Sequence, residues 1–338
     1  MFRNELRKCL YGILFLFVLL AIFYFLMLVM KRDTIDGKTR QYYTEYMEIL
    51  KGTFNDQKEA FIMDEYARVK DALEVNLEWQ NAGEQIDPEV IGYAMDHETA
   101  YDMIYDKYLH ILQIENEAEQ VFYDDIDWKD FLKKSSLNYF EMFFLIIFVM
   151  YAVTIDFYEG RAVLIKTSYK GNLHYIAVKQ NVCIFAAIIV AISFFLIEGI
   201  YIALFLNVST LSLPVRCISG FEQLRWSMTI GEYILFRELH QILWCITIVL
   251  VMCMVALIVK KIQTGIFIGV FFVLLPVALK NIISRNWGML LFGIHLDRDF
   301  SACSYGGIAM LLAVILAIIM YGVNMILWSE LEYNMNAV

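Results

Sequence analysis

A chain of 338 residues that is 60% hydrophobic, with a mean hydropathy of +0.57, lies outside the range of soluble globular domains. Its net charge of −10 is unevenly spread: residues 31–136 carry 25 acidic and 12 basic side chains, the remainder 12 and 15. That pattern describes an acidic soluble insert on a faintly basic membrane body, and with no basic stripe interleaved with aromatics it excludes a nucleic-acid partner.

The first nine residues carry Arg3, Arg7 and Lys8, which argues for a cytoplasmic N-terminus. Leu10 to Met30 follows without a charge and is long enough to cross a ~30 Å hydrocarbon core. It is too long for the apolar region of a signal peptide, and no small-residue cleavage site follows it. Residues 31–136 form the predicted extracellular domain. Tyr43, Tyr46, Met47 and Leu50 recur at helical spacing, and Asn55 opens a second run with Phe61, Tyr66, Val69, Leu73 and Leu77 on one side. Asp87-Pro88-Glu89 is a helix start, with a capping acid, proline at the first helical position and an acid in the first turn. Tyr101, Ile104, Tyr105, Tyr108, Leu109 and Leu112 form the apolar face of a third helix, so a helical hairpin or small bundle is expected here.

Leu137 to Ile155 is the second predicted span, with Glu141 near its outer end. The polar stretch 156–179 carries Arg161, Lys166, Lys170 and Lys179 against Asp156 and Glu159, and a short basic loop of this kind stays in the cytoplasm. We read it as a docking surface. Asn181 to Leu206 is the third span, interrupted by Glu198, and residues 207–238 return to the outer face. Leu239 to Val259 is the fourth. Ile262 to about Leu279 is the fifth, where Gly265 and Gly269 form a small-xxx-small pair that permits close helix packing and Pro276 kinks or ends the helix. Residues 281–301 read as an outer interfacial segment, and Ser304 to Trp328 is the sixth span, leading to a cytoplasmic C-terminus. The expected fold is an all-α polytopic membrane protein with six transmembrane helices and a helical extracellular domain between helices 1 and 2. Its parts are residues 1–30, 31–136 and 137–338. Arg216, Arg225, Arg237, Arg285 and Arg298 then fall outside, most of them beside acids.

The chain carries no recognisable catalytic motif. His97-Glu98 does not continue into HExxH, and the five histidines share no metal-binding spacing. A GxSxG elbow is absent. Gly160 to Thr167 is the nearest thing to a nucleotide loop, but Ile165 stands where the second glycine is required. The chain is therefore not expected to be an enzyme, to bind a metal or to hydrolyse ATP by itself. Six scattered cysteines form no CxxC pair, and whether Cys217 and Cys303 pair stays open. A buried acid costs ~2.5–3.5 kcal/mol at the centre of a spanning helix. Glu141 and Glu198 thus face either a helix-packing partner or a substrate pathway.

In the central loop, Glu159-Gly160 follow the second span, with Thr167-Ser168, Lys170-Gly171 and then Lys179 leading into the third. With this topology the chain resembles the permease subunits of ATP-binding-cassette (ABC) exporters of the type-2 class. The insert, through Tyr43, Tyr46, Met47, Leu50 and Gly52, Lys58, Ile62 and Glu65, and Tyr123-Asp124 with Trp128, resembles the helical ectodomain of some Gram-positive members. The resemblance implies a multi-pass plasma-membrane protein that exports an amphipathic, lipid-like or peptide substrate. It implies a second permease copy or paralogue and separate ATPase subunits that hold ATP and Mg, with no cofactor on this chain. ATPase coupling would run through Glu159, Gly160, Arg161, Lys166, Thr167, Ser168, Lys170 and Gly171. Membrane lipid surrounds the spans, and a peptide or extracellular protein would meet the ectodomain. The alternative is a non-transporting receptor or immunity protein whose acidic ectodomain binds a cationic peptide.

Overall fold

The structure, a computed structural model, describes residues 2–30, 35–74, 88–134, 139–158, 165, 173–221, 224, 226–278 and 306–333. In chain order its elements are α1 (Phe2–Met30), α2 (Gly37–Leu50), β1 (Gly52–Thr53), α3 (Asp56–Tyr66), α4 (Pro88–Leu112), β2 (Val121–Phe122), α5 (Ile126–Lys134), α6 (Tyr139–Tyr158), α7 (Leu173–Phe205), α8 (Ile230–Val259), α9 (Ile262–Ala278) and α10 (Gly306–Tyr333). The chain is thus mostly helical, as the all-α expectation has it, with one short pair of two-residue strands among the described residues.

The elements fall into two compact units. The first comprises Met1–Met30, Lys133–Phe205 and Ile234–Val338. Four of its helices are long and apolar enough to cross a membrane, over Tyr139–Phe157, Leu173–Phe205, Ile230–Val259 and Gly307–Glu330. Two shorter apolar stretches, Leu14–Met30 and Ile262–Leu275, accompany them. This is an α-helical membrane protein.

Two of the long helices start earlier than their apolar runs. The third expected span, from Asn181, is part of a helix beginning at Leu173, and the fourth, from Leu239, of one beginning at Ile230. No proline or glycine interrupts residues 173–180, and Tyr175, Lys179 and Gln180 there turn inward instead of ending the helix. At 1.5 Å per residue the 33 residues of α7 extend about 50 Å, well beyond a hydrocarbon core.

The second unit joins two separate stretches, Lys31–Leu132 and Leu206–Tyr233. Tyr43, Tyr46, Met47 and Leu50 are the buried face of α2, as their spacing predicts. Gly52, at φ +104, turns the chain into β1, a conformation that favours glycine. Lys58 Nζ then closes that turn on the carbonyls of Lys51 (2.9 Å) and Thr53 (2.7 Å). β1 pairs antiparallel with β2, Gly52 opposite Phe122 and Thr53 opposite Val121. Asn55 caps α3, accepting from the Lys58 amide at 3.0 Å.

The expected face of α3 is shifted. Ile62, Glu65 and Val69 are buried, while Phe61 and Tyr66 are only partly so. The shift precedes the π-helical turn at Ala67–Asp71, within which Val69 is buried as expected. On α4, Tyr101, Ile104 and Tyr108 are core, but Leu109 and Leu112 are 42% and 46% exposed, and Lys107, His110 and Ile111 are buried in their place.

The stretch 206–233, which the sequence places in the membrane domain, belongs to this unit. Trp128 Nε1 donates to Thr210 Oγ1 (2.6 Å), Tyr123 OH to the Pro214 carbonyl (2.8 Å), and His110 Nε2 lies 2.7 Å from the Arg216 carbonyl. Arg216 pairs with Glu119 at 3.2 Å, and the Cys217 thiol donates to the Glu119 carbonyl. Cys217 is a buried free thiol, whereas Cys303 lies outside the described residues.

Candidate functional site

In an apolar helical body, the costly residues are the ones to explain, because each charge must find a partner away from water. Glu198 on α7 is fully buried and takes two donors. Tyr24 of α1 gives its hydroxyl to Oε1, and Arg237 of α8, 1% exposed, lies 2.5 Å from Oε2. One turn further along α8, Gln241 Nε2 donates to Glu141 Oε2 of α6 at 2.5 Å, and one turn beyond that Cys245 Sγ donates to Glu141 Oε1 at 3.1 Å. The spacing of Arg237, Gln241 and Cys245 puts all three on one side of α8, so a single helix face gathers carboxylates from α6 and α7.

A second buried layer lies fifteen residues along α6 from Glu141, about 22 Å at the helical rise. Here Asp156 pairs with Lys179 of α7 at 2.8 Å, and Tyr175 OH donates to the same carboxylate. Lys179 Nζ also donates to the Ala152 carbonyl (2.7 Å) and sits 5.5 Å from the Tyr175 ring. Trp328 of α10 packs on Tyr175 and Phe157, with ring centroids 5.4 and 5.9 Å away. Next to Lys179, Gln180 accepts from Asn324 Nδ2 of α10 at 3.3 Å.

The expected site residues are therefore only partly visible. Glu141 and Glu198 are both in the first layer, joined through α8. Gly265 and Gly269 of α9 lie where a side chain would collide: a Cβ on Gly265 would be 1.7 Å from Met150 Cε, and one on Gly269 2.4 Å from Met252 Cε and 2.9 Å from Ile146 Cγ2. Glu159, Gly160, Arg161, Lys166, Thr167, Ser168, Lys170 and Gly171 lie outside the described residues, as does the segment 281–301.

Four residues have roles the sequence reading did not assign. Asp156 and Lys179, expected as ends of an exposed loop, are a buried ion pair. Arg237 and Glu238, expected on the outer face, are buried within α8. The signal was present in the i, i+4 repeats Arg237–Gln241–Cys245 and Tyr175–Lys179, which extend the polar face of each helix past its apolar run.

The second unit also holds several polar groups internally. Glu65 accepts from Tyr46 and Tyr93 and pairs with Arg68 at 2.6 Å. Lys107 meets Asp125 and the Tyr123 carbonyl. Burial pushes the Cys217 thiol up to about 11 and raises the Asp124 carboxyl, against the pull of Arg40. Burial would raise Glu119 as well, but hydrogen bonds from Ser227 and Asn116 together with the Arg216 charge hold it below the usual carboxylate value. Among the described residues, no group of three or more His, Cys, Asp or Glu side chains is placed to hold a metal ion. No family model, curated protein or solved structure matches the chain.

Proposed function

We propose that the chain is the membrane subunit of an exporter of the type-2 ATP-binding-cassette class. Two copies, or this chain and a paralogue, pair in the plasma membrane with their termini in the cytoplasm, the insert outside, and separate ATPase subunits bound through Glu159 to Gly171. The observation that supports it is the Asp156–Lys179 ion pair. It joins the end of α6 to the start of α7 at the root of the connection where the push would arrive. Two helices clamped at their loop end move together, which is what a rigid-body stroke requires. The cargo is an amphipathic, lipid-like or peptide molecule, and Glu141 and Glu198 would meet it only by exchanging their present partners on α1 and α8.

The test begins with purification of the tagged chain from its native membrane and a search for a copurifying ATP hydrolase. With the complex in liposomes, Lys179→Met is expected to leave ATP hydrolysis in place and abolish export. A chain that exports at full rate with no nucleotide hydrolase present overturns the reading.

A receptor reading rests on a different observation. Arg40, Arg68, Lys70, Lys107 and Arg216 of the second unit are in ion pairs, and the exposed acids Glu45, Glu48, Asp64, Asp96 and Asp106 outweigh the exposed Lys38 and Lys51. That surface suits a cationic peptide, and peptide binding by a chain that recruits no ATPase would favour it.

A further inference from the structure

Gln180 on α7 and Asn324 on α10 are both fully buried, and each keeps one hydrogen-bonding atom with no partner among the described residues, Gln180 Nε2 and Asn324 Oδ1. The Asn324 amino group is fully engaged, since it donates to Gln180 Oε1 (3.3 Å) and to the Leu250 carbonyl of α8 (2.9 Å). Turning either amide over does not remove the remainder. A flipped Asn324 would set its oxygen against two acceptors, and a flipped Gln180 would set one amino group against another. What is left over, a buried amino group and a buried carbonyl oxygen, belongs to the pair in either orientation of its amides.

We propose that the junction of α7, α8 and α10 holds a neutral guest that both donates and accepts hydrogen bonds, accepting from Gln180 Nε2 and donating to Asn324 Oδ1. A cation would be repelled by the Gln180 amino group, and an anion by the Asn324 oxygen. A hydroxyl group satisfies both, supplied by a water molecule or by a lipid. The guest matters most to α10, whose apolar window is 11% buried against 39–67% in the other three long spans. Among the described residues, Asn324 and Trp328 are the buried side chains in the second half of that helix, so the guest bears directly on how α10 is seated. The proposal does not depend on the export reading.

The experiment uses the full chain in lipid nanodiscs and, separately, stripped of lipid in detergent. High-resolution cryo-electron microscopy should show density in contact with both atoms. Density that survives delipidation identifies water, and density lost with the lipid identifies a lipid hydroxyl. Thermal unfolding of Gln180→Met, close in volume but without the amide, gives the sign. A guest-filled site loses a partner and the melting temperature falls by several degrees. An unfilled site loses an idle donor and one long acceptor of Asn324 Nδ2, which still donates to the Leu250 carbonyl, and the melting temperature changes little or rises. Unchanged or increased stability of Gln180→Met, or density at these atoms that belongs to protein, overturns the proposal.

Discussion

A guanidinium and a carboxylate taken out of water each lose several kcal/mol of hydration, which only close contact and further hydrogen bonds offset. Glu198 has both, from Arg237 and Tyr24. Removing one partner leaves the other charge stranded, so Arg237→Met should lower stability by about 3–5 kcal/mol. Arg237→Met combined with Glu198→Leu should recover most of that loss in thermal unfolding of the full chain. A double variant no more stable than the single one would show that this pair does not govern the α7–α8 contact. Glu198 stands out in the sequence as one charge in an apolar run; Arg237 does not, because it precedes the apolar run of its own helix. A second residue-level expectation concerns Cys217. With its thiol buried and pushed up to about 11, it should resist a maleimide on the native chain at neutral pH and react after unfolding, as peptide mass mapping would show.

Between elements, the contacts of α9 turn on two glycines. Methionine ends can swing aside, so Gly265→Ala, which meets the end of Met150, should be the milder change. Gly269→Ala also meets Ile146 Cγ2, held stiffly on a helix, and should cost about 1–3 kcal/mol. Equal melting temperatures for the two variants would contradict that ordering. The four-residue spacing of these glycines is legible in the sequence, but the identity of the side chains they admit is not. The helix faces of the insert show the same division. The repeat in α2 reads directly onto its buried side. In α3 Glu65 is drawn inward by the Tyr46 and Tyr93 hydroxyls where apolar spacing pointed to Tyr66, and at the end of α4 the segment 206–233 takes up His110 where a lone helix would have buried Leu109 and Leu112.

At the scale of the molecule, the second unit is assembled from two stretches more than seventy residues apart, with Glu119 at the join. Its folded-state carboxyl sits below the unfolded value, so its contribution is present above the unfolded pKa, near 4.3, and is lost as pH falls through the lower folded value. Hydrogen exchange at the Cys217 and Ile218 amides should therefore accelerate as pH drops through that window, after correction for the intrinsic rate. Glu119→Gln should remove the pH dependence. An unaltered pH profile in that variant would assign the effect to another carboxyl.

The sequence by itself determined the class: long apolar runs in a chain with three prolines make membrane helices, and the charge split marks off an acidic insert. It also located Glu141 and Glu198, because a carboxylate in such a run is conspicuous wherever its partner lies. Tertiary structure alone decided that Asp156 and Lys179 are a buried pair, that Arg237 answers Glu198, and that residues 206–233 complete the insert. The physical reason is that the energy of a charge or an idle hydrogen-bonding group depends on what surrounds it in space, and neighbours brought together from 23 to 106 positions away leave no local periodicity to read.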